Sequence, residues 1–170
     1  MLSKKTLCLF LSGLVGFCLG FYFKIQWEES KFIIAEWDDD PVVVVCPDSS
    51  ITSYRVHSAV EWWGIRGYNV SYVHWDDDNL ICNKGLFTHG IIFIRGEGEL
   101  LPDTYAVTTR IAIANKMVSA SIHLPNKNKY MRRLLEHELG HAFGMRHAEK
   151  IGHIMHPIHE YGGETFYIPD

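Results

Sequence analysis

The sequence has no concentrated positive charge and no internal repeat. Its 170 residues carry 16 lysines and arginines against 20 aspartates and glutamates, which gives a formal net charge of −4. Without a basic patch, nucleic-acid binding has no electrostatic support. No period of 20–50 residues is present, so a repeat architecture is not expected. Apolar residues make up 47% of the chain, which is typical of one ordinary globular domain.

Cysteine is scarce outside the N-terminal apolar segment. Cys8 and Cys18 fall within that segment, which leaves Cys46 and Cys82 for the remainder of the chain. Two such thiols can pair outside the cytoplasm. The sequence does not give the distance between them, so a disulfide and two free buried thiols both stay open.

Charged residues are also missing from the eighteen residues 6–23, which form a long apolar run after Lys4 and Lys5. This length is close to the minimum for crossing a bilayer, and no A-x-A cleavage site follows. We predict an N-terminal transmembrane helix acting as an uncleaved signal anchor over residues 1–27, with a cleaved signal peptide as the alternative. The preceding lysines predict a single-pass membrane protein whose remaining chain is extracytoplasmic, or secreted if the signal is cleaved.

The rest of the chain predicts strands and helices in a regular order. Runs that are apolar or alternating predict five strands, and two amphipathic segments predict helices. The first helix is predicted to begin with Ser49 or Ser50 as N-cap and to end near Gly64; the second is predicted to be capped by Asn128. This order predicts an α+β fold. The predicted strands are 42–46, 68–75, 90–96, 106–114 and 117–124, and the second helix is 128–144.

Two "WDDD" runs, at 37–40 and 75–78, each bring three carboxylates together. Adjacent carboxylates can help to bind calcium, but no EF-hand-like spacing surrounds either run. Calcium is therefore possible but unsupported, and a solvated acidic loop is the preferred interpretation.

The histidines are concentrated in "HELGHAFGMRHAEKIGHIMHP", residues 137–157, which holds five of the ten in the chain. Residues four apart lie on the same face of a helix, so His137 and His141 can bind one metal ion. Glu138 projects toward the same cleft. It is therefore placed to act on a water molecule rather than on the metal.

Gly144 makes a third ligand possible. A helix that continued past this position would carry His147 off the metal-binding face. A glycine in the left-handed conformation instead ends the helix and lets the chain turn back. Two helical ligands and one looped ligand leave a fourth position open, which is typical of a catalytic zinc site. We therefore predict one Zn²⁺ ion bound by His137, His141 and His147, because solvated or core histidines need no such turn.

The run "HELGHAFGMRH" resembles the H-E-x-x-H-x-x-G-x-x-H signature of the metzincin zinc peptidases. "IGHIMHP", 151–157, resembles the Met-turn of that family, with a spacing similar to its matrixin branch. The resemblance implies a metzincin-like zincin fold with a twisted mixed five-stranded sheet and two main helices. It also implies Met155 as apolar support beneath the zinc and a catalytic domain at 42–170 with a short C-terminal subdomain. The polar residues before that domain predict a tether at 28–41.

The same resemblance implies a zinc-dependent endopeptidase in which Glu138 is the general base acting on a metal-activated water. The strand predicted at 106–114 would be the exposed edge that pairs with an extended peptide or protein substrate. His153 and His156 are interpreted as turn or cleft-wall residues, since three ligands already serve a catalytic zinc. Tyr161 is considered as an oxyanion donor, with a plain aromatic lid as the preferred interpretation.

Two other functions stay open at this point. One is a hydrolase with the same chemistry that acts on peptidoglycan peptides. The other is a non-catalytic, zinc-stabilised binding module. The presence of Glu138 favours catalysis, because a binding module has no need of a general base.

Overall fold

A five-stranded mixed sheet carries the fold in the computed structural model, which describes residues 31–96 and 104–169. The spatial order of the strands places the first, third and fifth at the centre: β2-β1-β3-β5-β4. Four strands run parallel, and β4 is antiparallel to β5. The predicted α+β architecture with a mixed sheet and two helices is confirmed. The elements are β1 (Val42–Val45), α1 (Ser53–Gly64), β2 (Tyr72–Trp75), β3 (Ile91–Arg95), β4 (Val107–Ile113), β5 (Lys116–His123) and α2 (Leu134–Ala142).

Side chains along the central strands alternate between the two faces of the sheet, and a hydrophobic core lies on each face. Ile92 and Ile94 of β3 are fully buried in the larger cluster, which also contains the apolar sides of both helices. Phe93, between them in sequence, is fully buried in the smaller cluster on the opposite side. A strand covered on both faces explains why this run is continuously apolar rather than alternating.

The smaller cluster is closed by a disulfide. Cys46 and Cys82 are bonded, with their Cα atoms 5.9 Å apart, which decides between the two alternatives left by the sequence. The loop that leads to Cys82 is organised by Asp76, whose carboxylate accepts the backbone N–H groups of Ile81 at 2.8 Å and of Cys82 at 2.6 Å. Asp76 is only 4% exposed. The interpretation of the second "WDDD" run as solvated is therefore wrong for this residue.

The first helix begins later than predicted. Ser53 is its first residue and Thr52 its N-cap, with the threonine side chain accepting the Arg55 N–H. Pro47–Ser49 forms a separate 3-10 turn instead of the helix start, and Ser50 follows it in the left-handed conformation with φ 47°. The helix starts three residues after Ser50 and its capping side chain is that of Thr52, so neither predicted serine caps it.

The second helix is also shorter than predicted. It starts at Leu134, and Arg133 before it has φ 62°. The predicted cap, Asn128, lies in a turn and donates its side-chain amide to the Tyr105 carbonyl at 2.8 Å. The contact fastens the loop before α2 to the residues that lead into β4.

The segment predicted as a tether, 28–41, is in large part packed on the domain. Residues 32–37, which we call the N-terminal strap, lie along the turn that follows α2. The Ile34 N–H donates to the Gly144 carbonyl at 3.0 Å. The Arg146 N–H donates to the carbonyl of Phe32, the first strap residue, at 2.8 Å. The compact unit thus starts at Phe32 rather than at residue 42.

The predicted signal anchor and transmembrane helix at 6–23 lie outside the described residues. Within residues 31–96 and 104–169, no helix is long and apolar enough to cross a membrane.

Candidate metal centre

Three histidine rings converge where α2 ends. The Nε2 atom of His141 lies 3.1 Å from that of His137 and 3.1 Å from that of His147. A tetrahedral ion with nitrogens at 2.0–2.1 Å would hold them about 3.3–3.4 Å apart. The three predicted ligands are thus positioned to bind a metal ion, in an arrangement compatible with zinc.

The hydrogen bonds of the rings decide which nitrogen faces the site. Nδ1 of His137 lies 2.8 Å from the Ile154 carbonyl, and Nδ1 of His141 lies 2.9 Å from the Met145 carbonyl. A carbonyl oxygen only accepts, so both Nδ1 atoms carry the proton and both neutral rings present an Nε2 lone pair. Two facing lone pairs at this distance repel each other. A cation between them removes the repulsion, so the donor set fits a metal ion.

Burial keeps these rings neutral. It lowers the pKa of His137 to about 4 and the pKa of His141 to about 3. Burial also lowers the pKa of His147. A histidine must be neutral to bind a metal, so protonation does not compete with metal binding at His137 and His141 at neutral pH.

The turn that delivers His147 has the geometry predicted for Gly144, whose φ is 92°. Its N–H donates to the His141 carbonyl at 2.9 Å, and the Met145 N–H donates to the Gly140 carbonyl at 3.0 Å. These two bonds form a Schellman motif, which ends a helix through a left-handed residue. A Cβ at Gly144 would also collide with the carbonyl of Ala35 in the N-terminal strap. The position therefore needs glycine for both its conformation and its space.

Met155 is fully buried, and its side chain packs against α2 at Gly140. A Cβ at Gly140 would collide with its sulfur and with the Trp63 ring, so only glycine admits this contact. The Met155 carbonyl accepts the Ala148 N–H at 2.8 Å. The methionine thus supports α2 one residue before His141 and also fastens the chain just after His147.

Glu138 lies beside the histidines in the same cleft. It is 5% exposed, and its carboxylate accepts the Thr108 hydroxyl at 2.6 Å. Burial raises the pKa of Glu138 to about 7, against the opposing effect of the Thr108 hydrogen bond. A carboxyl group with a pKa close to neutral can both accept and return a proton, which is what a general base and acid must do.

The cleft has a volume of about 590 Å³. It is lined by residues 104–108, Arg110 and residues 156–160, and the two segments meet where the Tyr105 hydroxyl donates to the Glu160 carboxylate at 3.1 Å. The three convergent histidines and Glu138 line the same cleft. A ligand in this cleft would therefore lie next to the three histidines and Glu138.

Strand β4 forms one edge of the sheet, as predicted for 106–114. The direction of its backbone groups follows from its neighbour β5. The Val118 carbonyl accepts the Gly90 N–H at 2.8 Å, and the Leu124 N–H donates to the Arg95 carbonyl at 2.8 Å, so even-numbered residues of β5 face β3. Because direction alternates along a strand, the odd-numbered residues face β4. These are Ser119, Ser121 and His123.

The register then shows which backbone N–H and C=O groups of β4 are not bonded to β5. The odd-numbered residues of β5 pair with residues 111, 109 and 107. The N–H and C=O groups of Thr108 and Arg110 therefore point away from β5, toward the open edge. Ile113 pairs with Lys116 across a two-residue turn, which is a hydrogen-bonded pair in such hairpins, so the groups of Ala112 also face the open edge.

Sequence reasoning missed two residues of this site, Thr108 and Arg110. Both lie on the face of β4 that meets α2: Thr108 contacts Glu138, and Arg110 donates to the carbonyls of His141 at 3.1 Å and Met145 at 2.8 Å. The alternation in "VTTRIAI" places them on one face. Only the three-dimensional packing shows that this face meets α2, which carries His137 and His141.

The other C-terminal histidines have structural partners. His153 is fully buried, and its Nδ1 accepts the Met155 N–H at 3.0 Å. His156 is part of the cleft wall, and its ring meets the edge of the Tyr161 ring with 5.7 Å between centroids. Tyr161 is 52% exposed and lies on the short 3-10 turn His159–Tyr161.

A second metal site does not emerge from the acidic runs. Among the residues that the structure describes, the three histidines are the only group of three or more convergent ligands. Comparison with family models, with curated proteins and with solved structures found no match.

Proposed function

We propose that the protein is a zinc-dependent endopeptidase. The observation that carries the proposal is the position of Glu138, a buried carboxyl group beside three convergent histidines in an open cleft. The resemblance of residues 137–147 to the metzincin signature supports the same chemistry. A purely structural zinc site is closed by four protein ligands, whereas the described residues bring three together here.

The residues of the cleft have different roles in the proposed hydrolysis. His137, His141 and His147 would hold the zinc ion, which when bound supplies Lewis-acid polarisation of a carbonyl and lowers the pKa of water. Glu138 accepts a proton from the attacking water and gives it to the leaving amine. The Thr108 hydroxyl holds one oxygen of that carboxylate in place.

The open edge of β4 supplies a binding surface for the substrate backbone. The backbone N–H and C=O groups of Thr108, Arg110 and Ala112 alternate along β4 with the groups that bond to β5. They can therefore form a ladder of hydrogen bonds with one further extended chain. This mode of binding selects an extended peptide without requiring a particular side-chain sequence. It favours an endopeptidase acting on internal bonds of a polypeptide.

Metal analysis and cleavage of a proteome-derived peptide library test the proposal directly. The purified full-length chain should contain one equivalent of zinc and cut internal peptide bonds, and a chelator should abolish cleavage. Hydrolysis of peptidoglycan peptides alone would instead establish the cell-wall alternative. Tight zinc binding without hydrolysis of either substrate would establish a binding module.

We also propose an extracytoplasmic location with an N-terminal membrane anchor. The Cys46–Cys82 disulfide supports it, because such bonds persist in oxidising compartments. Carbonate extraction should leave the intact chain in the membrane pellet, and protease added from the outer side should degrade residues 32–169. A soluble mature chain that begins after Gly20 would show a cleaved signal instead.

Proline substitutions should distinguish the two sides of β4. Ala112→Pro removes an N–H that faces the open edge, so KM should rise about 10-fold, the loss of roughly one hydrogen bond. Zinc content and the thermal midpoint should stay close to wild type, because no bond to β5 is broken. Steady-state kinetics on one library-derived peptide gives the measurement.

Ile113→Pro is the matched control, since its N–H points toward β5 next to the hairpin turn. That variant should lower the thermal midpoint, because it breaks a bond within the sheet. An unchanged KM in the Ala112 variant would show that this edge does not bind substrate. Unfolding of both variants would show that the assignment of the open side is wrong.

A further inference from the structure

We propose that Thr108 is a positioning residue that connects the substrate-binding edge to the general base. Its backbone groups face the open edge of β4, and its hydroxyl holds the Glu138 carboxylate. The inference rests on the proposed peptidase function and adds to it a residue outside the zinc-binding motif.

The hydrogen bond has the geometry of a charge-assisted interaction. Oγ1 of Thr108 lies 2.6 Å from Oε2 of Glu138 and 3.2 Å from the Glu138 backbone carbonyl. A hydroxyl has one proton to donate, and the shorter contact to an ionisable acceptor is the stronger one. With Oε2 taken by this bond, Oε1 is the oxygen available to receive a proton from water.

The anchor is rigid because of where Thr108 lies. Its neighbours Val107 and Thr109 pair with His123 and Ser121 of β5, so the backbone on both sides is held in the sheet. A β-branched side chain has few rotamers, which fixes the hydroxyl relative to the strand. A glutamate side chain has three rotatable bonds, so without this contact the carboxylate could leave the orientation that proton transfer needs.

Arg110 makes the same strand part of the metal-binding turn. Its guanidinium donates to the carbonyls of His141 and Met145, and the Met145 carbonyl also accepts from the His141 ring. The strand, the base and the second ligand thus form one connected unit. A peptide backbone paired at Thr108 would consequently lie in a fixed register relative to Oε1 of Glu138.

Removal of the hydroxyl should reduce turnover but not substrate binding. In Thr108→Val, which keeps the shape of the side chain, kcat should fall at least 10-fold with KM within about 2-fold of wild type. Thr108→Ser restores the hydroxyl and should recover most of the kcat. Thr108→Ala repeats the loss of the hydroxyl and guards against a packing effect specific to valine.

Thr109→Val is the matched control on the exposed face of the same strand, and it should behave as wild type. All variants should keep one equivalent of zinc and a similar thermal midpoint. A second measurement needs no turnover: isothermal titration of the zinc-loaded proteins with acetohydroxamate, a ligand that donates a hydrogen bond to a neighbouring base. Binding should weaken several-fold in Thr108→Val and recover in Thr108→Ser.

Unchanged kcat and unchanged acetohydroxamate binding in both the valine and alanine variants would overturn the inference. A rise in KM alone would also overturn it, because Thr108 would then only bind substrate. If the wild-type chain cleaves no peptide, the peptidase proposal fails, and the acetohydroxamate comparison still decides whether Thr108 positions Glu138.

Discussion

Replacing Glu138 with glutamine should abolish nearly all peptide cleavage and leave zinc binding intact. The amide keeps the size of the side chain and can still accept the Thr108 hydrogen bond through its oxygen. It cannot accept a proton at neutral pH, so the attacking water and the leaving amine both lose their proton-transfer partner. General acid–base catalysis is worth about 10²–10⁴-fold, and kcat should fall by at least that lower figure.

The comparison variant is Glu61→Gln, an exposed glutamate on α1 away from the cleft. It should retain wild-type kcat, KM and zinc content. Turnover of Glu138→Gln at the wild-type rate would show that another group is the base. Loss of zinc together with activity would show that Glu138 is needed to build the site, and the glutamine variant would then say nothing about proton transfer.

The convergence of the three histidines could be predicted from sequence because its geometry is local. The four-residue spacing places His137 and His141 on one helical face, and a single positive φ at Gly144 returns the chain to place His147. Each step needs only the conformation of neighbouring residues. The positions of the helix starts could not be predicted in the same way.

Long-range contacts override the local signals at the start of α2. Glu136 is 2% exposed and accepts two hydrogen bonds from Arg55, at 2.9 Å and 2.6 Å, across the helix pair. Arg133 also binds Glu136, at 3.0 Å, while its backbone has φ 62°. Capping rules consider only neighbouring residues and therefore do not include this network. They favour Asn128 as the cap, whereas the structure places it in a turn.

The remaining parts of the site come from chain segments distant in sequence. Thr108 is separated by 30 residues from the carboxylate it contacts. The N-terminal strap lies more than 100 residues from the turn it holds. Sequence periodicity gives the face of a strand but not its neighbour, so Thr108 and the strap both needed the assembled fold.

Replacing His147 with alanine should lower zinc affinity by at least 100-fold. The loss of an outer-sphere partner alone costs about 10–100-fold, and here a direct ligand is removed. Competition with a chromophoric chelator gives the affinity, and His57→Ala, on the exposed face of α1, should leave it unchanged.

A substitution in the turn before His147 tests the same prediction without removing a ligand. Gly144→Ala retains all three ligands but strains a backbone with φ 92° and drives a Cβ into the Ala35 carbonyl of the N-terminal strap. The chain must shift there, and because His147 lies three residues later, its ring moves away from the other two. Zinc affinity should therefore fall in this variant as well, although no donor atom has been removed. If one equivalent of zinc binds tightly to His147→Ala and only His156→Ala releases it, the looped ligand is His156, and the Gly144 turn serves the fold rather than the metal.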